Sequence, residues 1–122
     1  MDQLFKYSDL SSINLHVSDF TLAPGPRLKV HGPNSGEQFR DEFLIPNWKK
    51  AMDAGKKLKI DLDGTAGYAS PFLEESFGGL LRFANKDYEA MMALLDFKSD
   101  DDDYLLVRIS RFMKKAGEMA AA

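Results

Sequence analysis

Residues 57–63 run Lys-Leu-Lys-Ile-Asp-Leu-Asp (KLKIDLD). The strict alternation puts Leu58, Ile60 and Leu62 on one face and Lys59 and Asp61 on the other, the pattern of a half-buried strand. Residues 64–69 form a loop, and SPFLEESFGGLLRFA at 70–84 predicts a helix, with Ser70 as its N-cap and Pro71 at the first helical position. Leu73, Phe77, Leu80 and Ala84 make its core stripe. Gly78 and Gly79 each weaken a helix by about 1 kcal/mol relative to alanine, so their presence implies a close packing contact, expected against the sheet.

Working outward, residues 86–92 read as a short helix, 93–97 as a strand, and 101–116 as a last helix with Leu105, Ile109, Phe112 and Ala116 facing the core. The closing stretch 117–122 is expected to fray. Upstream, INLHV at 13–17 is β-prone, and RLKV at 27–30 reads as a second strand after the Pro24-Gly25-Pro26 turn. Ser35 can cap a helix, with Gln38 completing a capping box, and Phe39 and Phe43 share a face. Pro46 is expected to divide this helix from a second one carrying Trp48 and Met52, because the residue before proline resists the helical conformation. Strands alternating with helices predict an α/β domain: a small mixed sheet, with parallel pairs, and helices packed on it.

At 122 residues, 44% hydrophobic and 29% charged, the chain has the size and composition of one globular domain spanning 1–122. The absence of cysteine removes disulfides, thiolate metal sites and cysteine nucleophiles. No apolar run approaches the roughly 20 residues that span a bilayer, and the opening MDQLFKYSDL carries acids where a signal peptide carries bases, so a cytoplasmic protein without a membrane is expected. Lys49, Lys50, Lys56, Lys57 and Lys59 cluster, but Trp48 is their one aromatic companion; they read as a solvated helix end, and no nucleic-acid partner is expected.

The sharpest chemical motif is DLDGT at 61–65, which has the form of the first motif of haloacid-dehalogenase-like phosphatases. Transferred here, Asp61 is the nucleophile and Asp63 the acid/base beside magnesium. The other required groups would have to be Lys86 and an acid within 100–103, and only 57 residues follow Thr65, too few for the further βα units of that family. The Asp100–Asp103 run lacks the alternation and glycine of a calcium loop and reads as helix capping. His16 and His31 stand on separate predicted strands. No metal and no cofactor is expected.

Two segments, GPRLKVHGPNSGEQFRDEFLIP at 25–46 and KIDLDGTAGYASPFLEESFGGLLR at 59–82, together resemble the STAS-like domain family of unknown function (DUF4325), and the likeness extends over about 12–115. The resemblance implies kinship with anti-sigma-factor antagonists. In those, a serine at the start of the helix after a central strand is phosphorylated by a kinase of the histidine-kinase-like ATPase fold. The antagonists carry two adjacent serines with the second modified; here Pro71 takes the second place and Ser70 remains. The resemblance therefore implies a non-enzymatic, regulatory protein-binding module. Its switch region would comprise Ser70, Tyr68, Asp63, Glu74 and Glu75, with Ser70 as the phosphosite and a histidine-kinase-like ATPase as partner. A phosphate on Ser70 is expected to be repelled by Asp61, Asp63, Glu74 and Glu75. The alternatives are a small magnesium phosphatase using Asp61 and Asp63 and a homo-oligomeric adaptor without a switch; a homodimer is a further partner expectation.

Overall fold

The alternation at 57–63 becomes β2 (Lys57–Asp61), the centre of a three-stranded sheet in a computed structural model that describes residues 12–121. It pairs in parallel with β1 (Ser12–His16) on one side and β3 (Leu95–Lys98) on the other. The register aligns Ile13 with Leu58 and Leu95, and Leu15 with Ile60 and Phe97, so one face is an apolar plate. The opposite face carries Asn14, Lys59 and Asp96 in one row and His16, Asp61 and Lys98 in the next. Period-two side-chain geometry produces both faces from one alternation.

The α/β class holds, with helices covering the apolar face. The strand expected at 27–30 does not form: Lys29–His31 is a single 3-10 turn. Its neighbours satisfy their backbone groups locally, since Gly25 N–H donates to Asn34 C=O, Gly36 N–H to Pro26 C=O and Glu37 N–H to Arg27 C=O. These bonds fold the segment back on residues 34–37 instead of along a sheet edge. Without that strand, every pairing among the described residues is parallel.

After one turn at α1 (Val17–Phe20), helix α2 runs unbroken over 36–53, as Gly36–Phe39, a π-wound Arg40–Leu44 and Ile45–Asp53. Pro46 does not divide it. The ladder shifts by one residue just before the proline, Ile45 N–H reaching back to Arg40 C=O, so the missing donor falls where Asp41 is exposed to solvent. Helix α3 covers 70–84 with a second π-wound stretch at Glu74–Gly78. A short α4 (Tyr88–Met92) leads to β3, and α5 (Leu105–Ala121) closes the fold; of the residues expected to fray, 117–121 are helical and 122 lies outside the described residues.

Phe39 is the hub of the core, fully buried, with ring centroids 5.4 Å from Phe20, 5.7 Å from Phe72 and 6.2 Å from Phe77. Ile60, Leu62, Leu73, Phe77 and Leu80 join it in one cluster, as the alternation and the helical stripe require. Burying each such side chain contributes about 1.5–3 kcal/mol. Met113, absent from the expected stripe of α5, is fully buried beside Ile109. Gly79 does permit a close contact, but with Arg40 of α2: a Cβ there would lie 2.6 Å from the Arg40 Cδ. Gly78 faces Ala116 of α5, so neither glycine meets the sheet.

Candidate functional site

In a parallel sheet all strands end on the same edge, and here that edge gathers the acids of the DLDGT motif. Asp61 and Lys98 are register partners, as are Asp61 and His16. His16 Nδ1 lies 3.3 Å from Asp61 Oδ2, Lys98 Nζ lies 3.9 Å from the same oxygen, and Asp61 Oδ1 accepts from the Asp63 N–H at 3.0 Å. A recess of about 350 Å³ lies beside this row on the polar face of the sheet.

Asp63 joins the two loops that leave β2 and β3. Its carboxylate accepts from Lys98 Nζ at 2.7 Å, from Asp101 N–H at 2.9 Å and from Asp100 N–H at 3.1 Å. Asp101 returns the contact by accepting from Gly64 N–H at 3.0 Å. The Lys98 bond, followed by the two backbone donors, pulls the Asp63 carboxyl down to about 2. Lys98 is held correspondingly higher by its bonds to Asp63 and Asp100. The lysine at this edge is thus Lys98; Lys86, the lysine a phosphatase reading requires, lies between α3 and α4. Asp102 makes the turn into α5, its side chain accepting from Tyr104 N–H at 2.9 Å.

Tyr68 is half-buried, donates its hydroxyl to Leu62 C=O at 2.7 Å, and is pushed up to about 12 by burial. Its own carbonyl accepts from Arg108 Nη2 at 2.9 Å, and the same nitrogen lies 3.3 Å from Ser70 Oγ. Ser70 is not the cap. Ala69 holds the extended cap position with no side-chain bond, and Ser70 is the first helical residue, exposed, with its hydroxyl turned to Arg108. Pro71 at the second position still loses only an N–H that a helix start leaves unpaired.

Glu74 and Glu75 are drawn away into a separate network. Arg27 reaches Glu74 at 2.5 Å and Glu75 at 3.5 Å, while Arg40 bonds Glu75 at 2.5 Å. Both glutamates begin the π-wound part of α3, and Arg40 begins that of α2, so the two widened turns are tied together across the helix interface. Of the sequence-predicted site residues, Asp63, Tyr68 and Ser70 share one edge; the glutamates brace the 27–31 turn and α2 against α3.

Arg108 was invisible in the sequence because it flanks the core stripe of α5 and its target is 38 residues away. Lys98 had a signal: it directly follows the strand expected at 93–97, and parallel strands bring together the residues at their carboxyl ends. Among the described residues no group of three or more His, Cys, Asp or Glu side chains is placed to hold a metal ion, and no helix is long and apolar enough to cross a membrane.

Fold and edge together define a small α/β module that presents two interlocked loops and a helix start at the carboxyl ends of a parallel sheet. Residues 35–105 match the STAS-like domain of unknown function (DUF4325), more than half of the chain, and the chain belongs to that family. No curated protein and no solved structure matches it.

Proposed function

We propose that this chain is a non-enzymatic regulatory module that binds a protein partner through the edge formed by residues 63–70 and the start of α3, with Ser70 as its switch. The observation that carries the reading is Arg108, which spans the Tyr68 carbonyl and the exposed Ser70 hydroxyl. A hydroxyl not used for capping is open to a kinase, and a phosphate there would add about −1.5 to −2 charges within reach of a guanidinium suited to bidentate phosphate binding. The neighbouring acids are already matched, Asp63 by Lys98 and Glu74 and Glu75 by Arg27 and Arg40. Attraction to Arg108 therefore outweighs the repulsion expected from sequence. Modification would draw Arg108 from the Tyr68 carbonyl, reshape the turn and put negative charge on the docking edge. The partner fitting this chemistry is a kinase of the histidine-kinase-like ATPase fold, the partner that the antagonist likeness implies.

The same geometry argues against phosphoryl chemistry at DLDGT. Asp63 accepts three hydrogen bonds that hold its carboxyl down to about 2, which makes it a weaker base than an ordinary aspartate and so less fit for the acid/base role. The test is to re-isolate the protein from a native extract supplied with ATP and map phosphate by peptide mass, while assaying a generic phosphate ester with magnesium. The expected result is phosphate on Ser70, reduced in Arg108→Ala, and no hydrolysis above background. An unmodified Ser70, or turnover that disappears in Asp61→Asn, would overturn the reading.

A further inference from the structure

The outward face of α5 is unpaired and chemically polarised. Leu105, Ile109, Met113 and Ala116 turn to the core. On the opposite side Tyr104, Leu106 and Val107 are 51%, 37% and 41% exposed, a high value for apolar groups that neighbour one another. A groove of about 380 Å³ runs along them, walled by Tyr88 of α4 and floored by Leu106, Val107 and Ser110, with Arg111 and Lys114 at its far end. Arg111 is already ordered over the Tyr104 ring, 5.6 Å from its centroid. Asp103 precedes the helix, and Arg111 and Lys114 lie within it at the far end of the groove, so charge runs from negative to positive along one face with an apolar middle.

A face of that kind is complementary to itself when reversed. We propose that a second copy of this chain docks antiparallel on α5, with the two-fold axis at the level of residues 108 and 109. That axis sets Asp103 against Lys114 of the second copy and brings Val107 and Ser110 together at the centre, with Leu106 and Arg111 flanking them. Asp103 lies two residues before α5 and Lys114 in its tenth position, so the charge pairs flank the apolar middle on both sides. An isologous contact repeats every pair twice, which doubles the effect of each charge. Glu118, the acid that interrupts the basic end, falls past the start of the opposing helix. Asp103, Val107 and Lys114 make none of the hydrogen bonds of the Ser70 edge, where Arg108 joins Tyr68 and Ser70. Pairing and the proposed switch can therefore fail independently.

The experiment is sedimentation velocity on the full chain at low and high salt, with Asp103→Lys, Lys114→Asp, the double exchange of both, and Val107→Glu. Neither Asp103 nor Lys114 makes a side-chain hydrogen bond or ion pair among the described residues, and both are exposed, so the fold should survive each change; circular dichroism verifies this. The expected result is a reversible dimer weakened by salt. Each single reversal should weaken it about tenfold, Val107→Glu should abolish it, and the double exchange should recover most of the lost affinity. A wild-type chain that stays monomeric at low salt overturns the proposal. So do single reversals without effect, or a double exchange no better than either single one.

Discussion

Ser35 and Ser70 each stand at the start of a helix that packs on the same core, and both fit a sequence rule for helix caps, yet they do different things. Ser35 is fully buried and accepts from the Gln38 N–H at 3.0 Å, while the Gln38 side chain accepts from Asn34 N–H at 3.2 Å. Ser70 is exposed, caps nothing, and shares Arg108 with the Tyr68 carbonyl. Burial makes the difference. A buried hydroxyl must be hydrogen-bonded and the free amide beside it supplies the bond, whereas an exposed one has water as an alternative and can be assigned to other chemistry. The first serine belongs to the fold and the second to the surface.

That contrast can be broken by substitution. Ser35→Ala should have the largest effect, about 1–2 kcal/mol of stability and a melting temperature lower by about 3–8 °C, because a buried cap is lost with no water to replace it. If thermal melts place Ser35→Ala within error of wild type, Ser35 is not the structural cap. Asp63→Asn comes next, because it severs the bond with Lys98 and weakens the tie between the β2 and β3 loops at a solvent-accessible position. Its signature is pH dependence. The folded carboxyl titrates at about 2, below its ordinary 3.8, so its contribution is present above pH 4 and disappears as pH falls toward 2. The stability gap between wild type and Asp63→Asn in denaturant titrations should be constant near neutrality and close between pH 4 and 2; a gap that persists at pH 2 contradicts the clamp. Ser70→Ala should have the smallest effect, within about 0.5 kcal/mol, since only an exposed bond to Arg108 is removed. A loss as large as that of Ser35→Ala would make Ser70 a structural residue after all.

The parts of the fold legible in the sequence are those set by periodicity. The alternation at 57–63 and the stripe on 70–84 placed Ile60, Leu62, Leu73, Phe77 and Leu80 in one core, where they are. The capping box at Ser35 was legible because both of its residues are local. The turn at Lys29–His31 was misread as a strand, because RLKV alternates, while the bonds that decide its shape come from the start of α2. Pro46 was misread as a break because a π-wound turn, which composition does not announce, absorbs it. At the site, the motif DLDGT was legible but its partners were not. Asp63 depends on Lys98, and Ser70 on Arg108, 35 and 38 residues away. The choice between Ser70 and Ala69 as cap also lay beyond the sequence, since Pro71 is tolerated at either of the first two helical positions; the distant arginine favours the placement seen.

The central claim, that the Ser70 edge is where a partner is held and released, is tested most directly by quantitative cross-linking from native extract with wild type and Ser70→Asp side by side. Both proteins should melt alike, because the substituted carboxylate sits at a helix start beside Arg108. A protein should be captured by wild type, cross-linked to residues 63–72, and be strongly depleted with Ser70→Asp. Capture of the same proteins in equal amounts by both would contradict it.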